Sequence, residues 1–385
     1  MNHTLMDPEG LNIHIYPSNF LFESRIERIA SCLISNRAFK AVWMLGVSSS
    51  GLPKREVRPS GVVLHRIGIA TAQHSTFRKI FAFLVFYLAT YRAIGRKSVS
   101  CVNAHSLSVL PLALSLKLVK RCIVVYDTHE LETETQSSTG ARRQLAKLIE
   151  RFCIKKVDKV FCVSDLISDW YEREYFISRP TTILNSASFG PLQCNDYLRK
   201  HFNLSNEKKI FVYVGLFAAD RGIEQLLQIF EDDEGFDGVI VFIGFGSLDV
   251  SIRNSASYGI RVFIHAPVYE DRLGEILSSA DFGVCMVVPT CLSYDFCMPN
   301  KLLQYLAAGL PVVVSPCQSL NVFVTAHSVG VVASTLSLTD LRAAVVGILE
   351  LDGSRLRQRA REVGLQLSWE RQQSTLIDEY KKYIE

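Results

Sequence analysis

No apolar run in this chain approaches the ~18 residues that a spanning helix needs. The longest extends from Ile80 to Ala89 and is bracketed by Lys79 and Arg92, so no transmembrane segment is expected. The first ten residues (MNHTLMDPEG) lack a basic region and an apolar core, and no secretory signal is expected there. Ten cysteines are present, but no CxxC pair and no Cys/His cluster at zinc spacing. Reduced thiols and a cytoplasmic location are the plain reading of that scatter. There is no short internal repeat and no low-complexity tract, and 48% of residues are hydrophobic, which excludes disorder, collagen and coiled coil.

What is present is 385 residues, a length that favours two domains over one. The net charge is only +4, but it is unevenly spread. Residues 1–190 hold 25 Lys and Arg against 15 Asp and Glu, whereas residues 191–385 hold 17 against 23. The first half is therefore expected to face something anionic, either a phospholipid surface or a phosphorylated substrate. Nucleic acid fits less well, because no recognised binding motif accompanies the charge.

Short β-branched runs alternate with helix-period stretches along the whole chain. Strands are expected at 12–16, 41–45, 62–66, 98–103, 122–126, 159–163 and 181–184, and again at 210–214, 239–243, 261–265, 282–286, 311–314 and 329–332. Helix patterns lie between them, notably 23–35, 77–94, 107–119, 142–155 and 166–175. Apolar strands separated by helices mean parallel sheets covered on both faces. Two such series mean two doubly wound α/β domains. The Pro-, Ser- and Gly-punctuated stretch 180–195 supplies the link between them. The polar loop 132–140 follows a strand end, where loops of a parallel sheet usually face a ligand.

The most informative segment is MPNKLLQYLAAGLPVVV, residues 298–314. Pro299 suits a helix start, and Gly309 with Pro311 marks a stop before a buried strand. Lys301 then falls in the first turn, where the helix dipole disfavours a cation. A bound anion addressed by both the lysine and the helix N-terminus explains it; a solvated surface lysine explains it equally well from spacing alone. Gln304 shares a face with Asn300 and Lys301. A second site of the same kind is VGLFAADRGI: a strand, Gly215, a small-residue loop, then Arg221 at a helix entrance. A third strand end, IGFGS, carries Gly244 and Gly246, which alone are common in plain turns. In the first half, VVYDTHE ends a buried strand with His129 and Glu130, and His129 is suited to bond a sugar hydroxyl or assist proton transfer. His105 lies at a neighbouring strand end by the same logic. A structural hydrogen bond is the commoner role for a single histidine so placed.

In this order and spacing the segments PNKLLQYLAAGLPVVVS, VVYDTHEL, FCVSDLISDWY, TILNSA, VYVGLFAADRGIEQLL, IGFG and LSWERQQSTLIDEY resemble a family 4 retaining glycosyltransferase of the GT-B fold over nearly the full chain. Ser24-Arg25-Ile26 resembles the start of that family's first helix. The resemblance implies an acceptor-binding Rossmann-like domain at 1–185, a nucleotide-sugar-binding one at 186–366, a central cleft between their sheets, and a terminal helix at 367–385 crossing back. It implies that Lys301 and Arg221 address the donor diphosphate, that Asn300 and Gln304 stand beside the nucleotide, with Gln304 where a glutamate accepts from the ribose, and that His129 contacts the sugar with Glu130 beside it. The donor is a substrate, UDP- or GDP-linked, and neither a further cofactor nor a metal is implied. No carboxylate cluster suited to magnesium is visible either.

The chain departs from the family pattern where its paired glutamates would fall, on Phe296 and Gln304, with Asp295 one residue out of register. Leu216 and Phe217 stand where many relatives carry an arginine. A catalytically lapsed sugar-nucleotide-binding subunit is therefore the principal alternative. A phosphorylase or nucleotide-sugar epimerase of similar architecture is weaker. A nicotinamide oxidoreductase lacks its GxGxxG and acidic partner. The expected role is transfer of a sugar to a glycan or lipid-linked glycan in cell-surface polysaccharide synthesis. Residues 78–97, an aromatic apolar core with basic flanks, suggest peripheral contact with the inner face of an anionic membrane; a buried helix with snorkelling ends is the alternative.

Overall fold

The computed structural model describes residues 10–68, 76–190, 194–231 and 236–383. The N-terminal stretch weighed as a signal thus lies almost wholly outside them, as do residues 191–193 of the expected link. The chain divides into two compact units, residues 1–183 with 373–385, and residues 184–372.

The first unit is built on an eight-stranded sheet: β1 (Leu11–Ile15), β2 (Ala41–Gly46), β3 (Arg55–Val57), β4 (Val63–Arg66), β5 (Val99–Ala104), β6 (Ile123–Asp127), β7 (Lys159–Cys162) and β8 (Thr181–Thr182). Their order is β3-β4-β2-β1-β5-β6-β7-β8. All pairs are parallel except β3 with β4. The parallel sheet expected from sequence is thus extended by one antiparallel edge strand that was not expected. That edge arises because Arg58-Pro59-Ser60-Gly61 closes a tight turn, with Gly61 at φ +92° and its N–H donating to the Arg58 carbonyl at 2.8 Å. A chain returning through so short a turn can pair only antiparallel.

Right-handed crossovers decide which face each helix covers. The step from β1 back to β2 puts helix Ser24–Ser35 on one face. The steps from β4 to β5, β5 to β6, β6 to β7 and β7 to β8 all run the other way. They put Thr76–Ile94, Leu110–Lys120, Gly140–Ile154 and Asp165–Tyr175 together on the opposite face. Residues 373–383 complete the first unit: Lys159 pairs with Glu379 at 2.7 Å, and the Tyr383 hydroxyl donates to the Asp158 carbonyl at 2.7 Å.

The second unit carries β9 (Lys209–Leu216), β10 (Gly238–Phe245), β11 (Val262–His265), β12 (Phe282–Cys285), β13 (Val312–Val314) and β14 (Gly330–Val332), all parallel in the order β11-β10-β9-β12-β13-β14. Strand alternation divides its interior into two cores. Ile210, Val212, Val239 and Val241 pack with Leu302 and Leu306 on one face; Phe211, Tyr213, Ile240 and Phe242 pack with Phe230 on the other.

Candidate active site

In the second unit, β9 and β10 run in register to their last residues, so that Gly215 stands beside Gly244. A side chain on Gly244 would put its Cβ 2.0 Å from the Gly215 carbonyl oxygen, and one on Gly246 would lie 2.3 Å from that of Phe217. Only glycine permits two loops to lie this close. Phe217 is fully buried against the Tyr213 and Phe242 rings. It is a core residue under the loop and offers nothing to a ligand, while Leu216 is exposed.

Lys301 enters this floor from helix Asn300–Ala307, in the first turn as the spacing predicts. Its Cε lies 3.8 Å from where a Gly215 Cβ would be, and its Nζ sits 3.6 Å from the centroid of the Tyr213 ring. The ammonium is buried and has no hydrogen-bond partner. Burial pulls it down to about 8, with Arg221 pushing the same way and Cys285 opposing. Arg221 follows the left-handed Asp220 and stacks on Tyr294 at 5.0 Å. No carboxylate pairs with either cation among the described residues. Two neighbouring positive charges, one desolvated and neither neutralised, is an arrangement that costs free energy until an anion arrives.

Asn300 is exposed at the start of the same helix, where its Oδ1 accepts from Asn185 Nδ2 at 2.9 Å. The other amide atom of Asn185, Oδ1, is buried without a partner. Asn185 was not among the residues singled out from sequence, although it sits in the TILNSA segment. Gln304, one turn on, is partly buried. Asp295 does not serve Gln304: its Oδ1 accepts from the Gln318 backbone N–H at 2.7 Å, capping helix Gln318–His327. Phe296 is buried. The structure thus groups Gly215, Gly244, Gly246, Arg221, Asn300, Lys301 and Gln304 at the C-terminal strand ends of one unit.

His129 and Glu130 belong to the first unit. Three adjacent strands, β1, β5 and β6, place His14, His105 and Asp127 in one buried chain. Asp127 takes Arg25 Nη2 at 2.6 Å, His105 Nδ1 at 3.0 Å and His129 Nε2 at 3.3 Å. Arg25 Nη1 also donates to the Ile183 carbonyl at 2.6 Å. Since Asp127 accepts, His105 carries its proton on Nδ1, and its Nε2 accepts from His14 Nδ1 at 2.8 Å. His129 turns its Nε2 to the same carboxylate. Glu130 is exposed beside it. Burial alone would push the Asp127 carboxyl up, but Arg25, His105 and His129 together hold it well below the usual carboxylate range.

His105, Asp127 and His129 are metal-ligating types with ligand atoms within 4.8 Å of one another. They do not fit a metal well. Arg25 occupies the same carboxylate, and both imidazoles already direct donors at it. The set is a satisfied charge network.

Burial pulls the His105 imidazole down to about 4 and also lowers His14. The unfolded chain therefore takes up these protons near pH 6.5, before the folded protein does. The stability contributed by neutral His105 is complete above about pH 6.5 and is lost as pH falls towards 4, on the order of 3 kcal/mol. Thermal melts from pH 7.5 to 4.5 should show a falling midpoint across that window; a flat midpoint would contradict the network.

Residues 208–351 match the family model described as Glycosyl transferases group 1. No curated protein matches the chain. Among solved structures it is similar to sucrose-phosphate synthase from Thermosynechococcus elongatus, with TM-score 0.79 and 17% identity, over 97% of this chain and 99% of that one. It is also similar to HepE from Anabaena in complex with UDP-glucose, with TM-score 0.72 and 10% identity over 97% and 99%. A third similar structure is WaaG, a glycosyltransferase involved in lipopolysaccharide biosynthesis, with TM-score 0.65 and 14% identity over 96% and 99%.

Proposed function

We propose, from the premise that this is a GT-B protein whose residues 208–351 are those of a group 1 glycosyl transferase, that it moves a sugar from a UDP- or GDP-linked donor to a glycan or lipid-linked glycan with retained configuration. The observation that carries this reading is the buried, unpartnered ammonium of Lys301 beside Arg221 at the glycine-lined strand ends. A diphosphate supplies the missing negative charge. The β-phosphate growing more negative as the glycosidic bond breaks is stabilised by both cations and by the backbone donors of helix Asn300–Ala307. This electrostatic role needs no metal.

The step that follows is front-side displacement. The acceptor oxygen forms its bond to the anomeric carbon on the face from which the diphosphate leaves, and its proton passes to a departing phosphate oxygen. No covalent nucleophile is required of the protein. His129, oriented by Asp127, is assigned to a hydroxyl of the transferred sugar, with Glu130 beside it. Gln304 is assigned to the ribose. The likeness to a lipopolysaccharide glycosyltransferase and to a UDP-glucose complex supports a role in cell-surface polysaccharide synthesis.

A donor-binding subunit without catalysis is the second reading, favoured by Phe296 and Gln304 standing where the resembled family has acids. Slow donor hydrolysis in the absence of acceptor distinguishes the two, since only an enzyme turns the donor over.

Gln304 also gives a test of the ribose assignment. A carboxylate accepts from both ribose hydroxyls, whereas the amide offers one acceptor and one donor. Because Asp295 is engaged by the Gln318 backbone, it does not hold the Gln304 amide. Gln304→Glu should therefore tighten nucleotide-sugar binding by about 1 kcal/mol, roughly fivefold, in calorimetric titration. Unchanged affinity and turnover would place Gln304 away from the nucleotide.

A further inference from the structure

Helix Gly140–Ile154 is amphipathic in an unusual sense: its apolar stripe faces outward. Leu145, Leu148, Ile149 and Phe152 are spaced i, i+3, i+4, i+7, one side of a helix, and are 59%, 52%, 37% and 61% exposed. The inward side carries Glu150 instead, fully buried and accepting from the hydroxyls of Tyr126, Tyr171 and Tyr175 at 2.8, 2.9 and 2.6 Å. Three donors on one carboxylate hold the helix in this rotation, so the outward stripe is fixed by the core.

The neighbouring helices present the same kind of surface. Helix Thr76–Ile94 buries Ala82, Phe86, Thr90 and Ile94, and exposes Ile80, Leu84 and Leu88 on its other side. One side of this helix is thus core, as the buried-helix alternative for residues 78–97 has it, and its other side is apolar and exposed. Helix Leu110–Lys120 lies against it through Tyr91 Oη to Ser115 Oγ at 2.7 Å, and exposes Leu118. Lys117 then reaches from that helix to the Lys156 carbonyl at 2.9 Å, just beyond helix Gly140–Ile154. The three helices form one layer on the same face of the sheet. Large apolar side chains concentrated on the outer side of one helix layer mark an interaction site.

Charge decides among partners. The only acid on these three helices is Glu150, which is buried, while Arg78, Arg92, Arg142 and Arg151 are exposed on them. Arg121, Lys155 and Lys156 are exposed at their C-terminal ends. A second copy of this chain would bring like charges together across the apolar strip. An anionic bilayer accepts the apolar side chains at its headgroup boundary and the cations at its phosphates.

We propose that the outer faces of helices Thr76–Ile94, Leu110–Lys120 and Gly140–Ile154 are a docking surface for an anionic lipid membrane. The proposal does not depend on the transferase reading. The test is flotation of the full-length protein with vesicles of 70% phosphatidylcholine and 30% phosphatidylglycerol, against pure phosphatidylcholine, at low and high salt. The probe variant is Leu148→Glu with Phe152→Glu, two exposed positions, with its melting temperature and donor hydrolysis measured alongside. The expected result is recovery of the wild-type protein with the anionic vesicles at low salt, less at high salt, and at least a tenfold loss in the double variant at unchanged melting temperature and hydrolysis. Failure of the wild-type protein to float, or flotation of the double variant to the same extent, would overturn the proposal. So would light scattering that shows a wild-type dimer which the double substitution dissociates, since a second copy would then cover the face.

Discussion

Lys301→Ala should lower turnover by about two to three orders of magnitude, and Arg221→Ala by a similar factor. Each removes a charge aimed at the leaving diphosphate, and loss of one well-placed electrostatic donor costs ~10²–10³ in rate. Lys301 is held for this task by its surroundings. Tyr213 lies under its ammonium at 3.6 Å, and no protein anion competes for it. Truncation should leave the fold intact, because removing a buried unpaired cation relieves desolvation. Steady-state transfer or donor hydrolysis measures the effect. Near-wild-type turnover in both variants would remove the diphosphate from this site. Because the free ammonium lies near 8 and an anion would raise it, donor affinity should also weaken as pH rises through 8.

The other large effect concerns stability of the first unit. Asp127→Asn keeps the shape of the side chain but removes its charge, leaving the Arg25 guanidinium buried and unneutralised. Breaking a buried pair by removing one partner costs about 3–5 kcal/mol. His105 and His129 lose their charged acceptor in the same change. The urea midpoint of the first unit should fall accordingly, while nucleotide binding by the second unit is retained. An unchanged midpoint would mean that the network contributes little.

The alternation of strands and helices was legible because it follows from local patterning, and the expected strands match the observed ones to within a few residues. β3 was not legible: its three residues, Arg-Glu-Val, carry no apolar run, and only the return through Gly61 pairs them. Lys301 and Arg221 could be read from their places at helix entrances. Their lack of any anion could not, since that depends on what the fold brings near them. The Asp127 network was invisible for the same reason. Arg25, His105 and Asp127 lie up to 102 residues apart in sequence, and meet only because β1, β5 and β6 are neighbours in the sheet. The outward stripe of helix Gly140–Ile154 reads from sequence as an ordinary core face. Glu150 and its three tyrosines turn it to solvent.

The most direct test of the account is calorimetric titration of UDP and of GDP, at pH 7, into the wild-type protein and into the Arg221→Ala, Lys301→Ala double variant. The wild-type protein should bind one of these nucleotides saturably, one to one. The double variant should lose at least a hundredfold in affinity at unchanged melting temperature, as expected when two charge-assisted contacts of ~1.5–3 kcal/mol each are removed. Equal affinity in both proteins, or no binding of either nucleotide by the wild-type protein, would contradict it.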